Sequence, residues 1–287
     1  MQQDPERNPV GGAGNLDAAT VTGFGDEWQR FDQARLDEAE AHDHFERYFS
    51  LVDLRSLPPD AKIMDVGCGS GRWARLVAPH AGELHLVDAS ADALSVARRN
   101  LADRAGCVFH EAAVDRLPEA DGTMDLVYSL GVLHHVPDTA AGIAACARKL
   151  KPGAPLLLYL YYGFDNRPAW FRALWRLSDV LRRRISALPF NRRKTVTDAI
   201  AFAVYLPLAR LARLVEWAKG DPSLVPLSFY RRASVYTMRT DALDRFGTRL
   251  EQRFTKPEIE QMMAAAGLVD IRFREGEPYW CVTGVRV

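Results

Sequence analysis

Between residues 62 and 162, short apolar runs alternate with segments of helical period. Residues 62–66, 83–87, 107–112, 124–129 and 155–162 read as strands. The last is almost wholly apolar, as in a strand covered on both faces. Residues 72–79, 90–102 and 140–150 read as helices. Ser90 caps the second with Asp92 in its first turn, and Lys151-Pro152-Gly153 ends the third. This alternation predicts a parallel, doubly wound α/β sheet.

The pattern changes on both sides of that core. Residues 1–20 are polar, with little to bury, and are expected to form a flexible tail. Residues 21–60 form a helical segment: Trp28, Phe31, Leu36, Phe45, Tyr48, Phe49 and Leu51 mark an amphipathic helix over 26–54. The core spans 61–163, and a strand-free helical insertion follows over 164–250. In its first half, Trp170, Leu174, Leu177, Leu181 and Leu188 make an apolar stripe opposite Arg172, Arg176 and Arg183. Its second half is expected to open at Thr195-x-x-Asp198 and to kink at Pro207. Over 251–287, Thr255-x-x-Glu258 predicts a capped helix, and two strands close the chain around Glu275-Gly276-Glu277-Pro278 as an antiparallel hairpin.

Composition narrows the class without naming a function. Of 287 residues, 48% are hydrophobic and 26% charged, and the formal net charge is zero, so no global field points to nucleic acid. The balance is uneven, because residues 165–219 carry twelve Lys or Arg against four Asp or Glu. Three readings of that basic insertion stay open: a cap over an acceptor pocket, a homodimer face, or contact with a membrane or amphiphilic substrate. Four scattered cysteines make neither a zinc site nor a disulfide framework, and the longest nearly apolar run, 199–209, is too short for a transmembrane segment. A cytoplasmic protein is the expectation. No metal site is expected, and His42-Asp43-His44 reads as a solvated helix face.

The chemistry concentrates after the first strand. Gly67, Gly69 and Gly71 alternate between a strand and a helix, where the backbone must turn tightly and admit a ligand. The spacing is G-x-G-x-G, whereas a dinucleotide fingerprint is G-x-G-x-x-G. Asp65 just before it suits a cationic ligand and would repel a diphosphate. S-Adenosylmethionine carries an ammonium and a sulfonium and no phosphate. Asp88 ends the second strand, where a carboxylate accepts from ribose hydroxyls. A nicotinamide-dependent oxidoreductase and a non-catalytic binding module remain as rivals.

Four motifs in order carry a resemblance: Asp65-Val-Gly-Cys-Gly-Ser-Gly71; Val87-Asp88-Ala-Ser90; Leu117-Pro118 with Met124-Asp-Leu-Val-Tyr-Ser129; and Gly131-Val-Leu-His-His135-Val-Pro-Asp138. Together they are similar to the core of the class I S-adenosylmethionine-dependent methyltransferases. The resemblance implies a Rossmann-like, seven-stranded sheet with an antiparallel last strand, and methyl transfer to O, N or C of a small-molecule acceptor. It also implies contacts: Asp65, Gly67 and Leu130 with the methionine part, Gly69 leaving room for the cofactor, and Asp88 with the ribose. Many relatives place an Asp where Ala113 stands, so the backbone of Ala113 and Val114 is expected to border the adenine. His134 and His135 are the candidate general bases, or else they shape the pocket. Trp28 is expected near the sulfonium, and Tyr230, Arg239, Asp241 and Asp244 are candidate acceptor contacts.

Overall fold

The computed structural model describes residues 14–33 and 36–287, and residues 1–13 of the expected tail lie outside the described residues. One sheet holds seven strands: β1 (Lys62–Val66), β2 (Glu83–Asp88), β3 (Cys107–Glu111), β4 (Leu126–Leu130), β5 (Pro155–Tyr159), β6 (Leu268–Phe273) and β7 (Cys281–Arg286). Their order is β3-β2-β1-β4-β5-β7-β6. The first five run parallel, and β7 is antiparallel to both β5 and β6. A short connection leaves β6 and β7 no other way to pair. Strand order reverses between β1 and β4, which opens a crevice at the carboxyl ends of the strands.

Among the described residues, ten α-helices accompany the sheet: α1 (Ala18–Arg30), α2 (Glu38–Phe49), α3 (Ala74–Val77), α4 (Ala91–Asn100), α5 (Thr139–Lys149), α6 (Ala169–Ser186), α7 (Phe190–Ile200), α8 (Leu206–Trp217), α9 (Val235–Gly247) and α10 (Lys256–Ala265). Alternate strand residues feed opposite faces. Met64, Val127 and Leu156 pack with Ile143 and Met263 of α5 and α10. Ile63, Leu126 and Leu157 pack with Phe49 of α2 and Leu94 of α4. A third core, including Ile185, Tyr205, Ala209, Met238 and Phe246, holds α6 to α9 together.

Three expectations are corrected. The helix expected over 26–54 is two helices. The first starts at Ala18, inside the span read as tail, because the Asp17 carboxylate accepts from the Thr20 N–H. Asp37 caps the second by accepting from the Ala39 and Glu40 N–H groups. α7 opens at Phe190 after Pro189, five residues before Thr195; Asp198 pairs with Lys194 (2.6 Å) and Arg239 (2.8 Å). At Pro207 the chain makes a π-helical turn over Ala201–Tyr205, because proline has no N–H for the carbonyl four residues back.

The apolar stripe of α6 also differs from a packed face. Trp170, Leu174, Leu177 and Leu181 are about half exposed or more, while Asp179 and Arg182 are buried. The Arg182 guanidinium donates to Asp179 (2.6 Å) and to the carbonyls of Thr248 and Arg249 (2.7 and 3.3 Å). A fully bonded, ion-paired guanidinium tolerates burial, so the polar side of α6 docks on the end of α9. Among the described residues, no helix is long and apolar enough to cross a membrane.

Candidate active site

A cavity of about 680 Å³ opens at the crevice. Its floor is the glycine turn. The N–H groups of Gly67 and Cys68 both donate to the Val87 carbonyl (2.7 and 3.0 Å), which ties the turn to β2. Gly67 has φ +80°, and a Cβ there would sit 2.4 Å from Val132. Gly69 has φ +53°, and a Cβ there would meet the Trp28 indole at 2.8 Å. These two positions demand glycine for both conformation and space. The Asp88 carboxylate accepts from the Gly69 N–H (2.9 Å) and the Ser90 N–H (2.8 Å), so it braces the turn and anchors Ser90, the N-cap of α4. Burial pushes its pKa up while those amides pull it down.

The other end of the cavity is acidic and aromatic. The Tyr161 O–H donates to Asp244 Oδ2 at 2.6 Å, and Asp244 Oδ1 lies 3.8 Å from His135 Nε2. His135 Nδ1 lies 2.6 Å from the Leu250 carbonyl, which only accepts. The Nδ1 therefore carries the proton, and in the neutral ring Nε2 is bare. Burial lowers the His135 pKa to about 4, so the ring is neutral at pH 7. Burial raises Asp244 to about 6 and Asp241 to about 6, with the Asp241–Arg72 attraction opposing. Burial also pushes Glu27 on α1 well above the usual carboxylate range. Arg253, paired with Glu251 at 2.8 Å, lies over the rings of Tyr161 and Phe164 (both 4.9 Å).

The structure sorts the expected site residues. Trp28, Gly67, Gly69, Asp88, Ala113, Val114, Leu130, His135, Tyr230, Asp241 and Asp244 all line this cavity. Four do not. Asp65 points into the sheet interior on the Ile63 side, where the Tyr128 O–H donates to it (2.9 Å) and burial raises it to about 8. Gly71 has φ +75° and lies against Leu101 and Ala97 of α4, a packing reason for glycine. His134 is fully buried beneath Tyr161, with ring centroids 3.8 Å apart. Arg239 is held by Asp198 through two contacts of 2.8 and 3.0 Å. His44 departs from the solvated reading: it is buried on the cavity wall, and its Nδ1 accepts from Arg72 at 2.8 Å.

Sequence reasoning missed Glu27, Tyr161 and Arg253. Tyr161 had a usable signal, since it follows β5 at the carboxyl edge of the sheet. The other two carry no local motif.

Known proteins give an independent view. A family profile described as a methyltransferase domain matches residues 63–153. A ubiquinone biosynthesis O-methyltransferase of Thiobacillus denitrificans is 32% identical over 231 residues, covering 79% of this chain and 94% of that protein. The Hahella chejuensis protein of the same name is 33% identical over 144 residues, covering 50% of this chain and 60% of its own. A solved structure of a possible exported protein from Bordetella parapertussis shares the fold, with TM-score 0.51 and 18% identity over 86% of this chain and 67% of that one.

Proposed function

The chain belongs to the class I S-adenosylmethionine-dependent methyltransferases, and from that membership we propose an enzyme that methylates a hydroxyl of a largely apolar small molecule. One observation carries this reading: a glycine turn braced by Asp88 and a proton-accepting pair, Asp244 with His135, face one cavity.

The residues fit the donor. Gly67 and Gly69 leave space that any Cβ would fill, and Asp88 keeps lone pairs free for ribose hydroxyls beyond the two amides it accepts from. Ala113 and Val114 would border the adenine and Leu130 and Gly67 the methionine part, all of them lining the cavity, and Trp28 lies over the turn. Asp65, turned away from the cavity and bonded to Tyr128, takes no part in this donor site. When bound, S-adenosylmethionine supplies a methyl group on a sulfonium. The chain's part is to orient the acceptor, exclude water and take a proton.

Asp244 is the base. At pH 7 it is mostly ionised, and its Oδ1 faces the bare Nε2 of neutral His135. The ionised carboxylate gives the acceptor's hydroxyl proton a place to go. Tyr161 orients the carboxylate through Oδ2. The 32% identical relative bears an O-methyltransferase name, which favours oxygen over nitrogen.

The acceptor chamber is apolar at its mouth. Leu174, Leu181 and Val204 line the cavity and remain 47%, 49% and 43% exposed. An apolar part of the acceptor would cover them. Leu181→Asp is expected to raise the acceptor KM about tenfold, the ~1.4 kcal/mol of lost apolar contact, with cofactor affinity unchanged. An unchanged KM would remove the mouth from acceptor binding.

Calorimetry tests the donor. The chain is titrated with S-adenosylmethionine, S-adenosylhomocysteine and NAD. Saturable binding of the first two is expected. Binding of NAD alone would overturn the assignment in favour of an oxidoreductase.

A further inference from the structure

At the β3–β2 edge of the sheet, three side chains converge: His85 on β2, His110 on β3 and Glu119 after Leu117-Pro118. The geometry points to a divalent metal site, of the zinc class, built from His85 Nδ1, His110 Nε2 and a Glu119 carboxylate oxygen. His85 Nδ1 lies 3.1 Å from His110 Nε2 and 3.6 Å from Glu119 Oε1. One ligand atom from each residue lies within 4.8 Å of the others. Zinc bonds of ~2.0–2.2 Å in tetrahedral array set ligand atoms about 3.3–3.6 Å apart, within about 0.2 Å of the two short distances.

The surroundings of His85 supply the second argument. His85 is 1% exposed and lies between two carboxylates: its Nε2 is 3.5 Å from Glu83 Oε1 and its Nδ1 3.6 Å from Glu119 Oε1. The buried Nε2 has no hydrogen-bond partner, while Nδ1 shares a hydrogen bond of 3.1 Å with His110 Nε2. A cation held by Nδ1 and His110 Nε2 would replace that shared proton. The Nε2–H then donates to Glu83, the carboxylate–histidine–metal arrangement that fixes a ligand ring. Lys62 holds Glu83 from its other oxygen at 3.1 Å. Two imidazoles and one carboxylate suit zinc, and the 32% exposed Glu119 leaves a coordination position open to water.

The placement has a consequence. His110 and Glu119 bracket the segment whose Ala112, Ala113 and Val114 line the cavity. A shared cation pins both ends of that segment and clips the edge strand β3 to β2. The link to adenine rests on the functional reading above. The metal site itself does not.

The test uses the untagged chain and the metal alone. Titration with Co²⁺ should produce one equivalent of visible d–d absorption, displaced by Zn²⁺, and Zn²⁺ should raise the Tm as any ligand of the folded state does. Glu119→Gln and His110→Ala lie at the accessible side and should keep the fold. Each should weaken Co²⁺ binding at least tenfold, and Glu83→Gln about tenfold through the second ligand shell. No saturable absorption, or absorption that survives His110→Ala and Glu119→Gln, would overturn the site. Neither outcome depends on methyl transfer, so failure here leaves the enzyme assignment standing.

Discussion

Asp244→Asn is expected to lower kcat by about 10²-fold or more, the usual worth of a positioned general base. The substitution is isosteric, and an Asn oxygen still accepts from the Tyr161 O–H, so the fold should hold. What disappears is the carboxylate beside His135 Nε2. The wild-type kcat should fall below about pH 6, because burial raises Asp244 to about 6 and protonation there removes the base. The sign follows directly: the active form is the carboxylate, so activity is present above that pKa and declines about tenfold per pH unit beneath it. Asp244→Asn should flatten this limb, and S-adenosylhomocysteine affinity should stay within about twofold. A variant with full kcat and the same pH limb would show that Asp244 only shapes the pocket.

The second large effect lies at the other end of the cavity. Asp88→Ala should weaken S-adenosylhomocysteine binding at least tenfold by calorimetry, since a hydrogen bond to a charged group is worth about 1.5–3 kcal/mol. Two protein contacts go as well, because Asp88 accepts from the N–H groups of Gly69 and Ser90. The turn loses its tether and Ser90, the N-cap of α4, loses its anchor, so stability should also fall by about 1 kcal/mol, as for a lost cap, and be read as a lower Tm. Unchanged affinity with lowered Tm would make Asp88 a structural brace and move the ribose elsewhere.

The two acids of α9 show how far local pattern reaches. Asp241 and Asp244 are three apart and share a helix face, whereas Arg239, two before Asp241, points away and pairs with Asp198. Helical spacing separates them, a distinction that polar content alone does not make. The α6 stripe misled for a related reason. Amphipathic period says that two faces differ, not which one is covered. Here a completed ion pair and two carbonyls hold the polar face in. His85 and His110 were invisible as neighbours until β2 and β3 were in register.

By itself, the sequence determined the α/β class, the order of strands and helices between residues 62 and 162, the antiparallel close and the family. Each rests on signals a few residues long: apolar runs, caps, a glycine turn, an acid at a strand end. Only the tertiary structure gathered the buried acids, histidine and aromatics at the other end of the cavity. Glu27, His135, Tyr161, Asp244 and Arg253 come from five separated parts of the chain. Burial there lowers a histidine to about 4 and lifts a carboxylate to about 6, and desolvation is a property of the surrounding packing, which no single segment encodes.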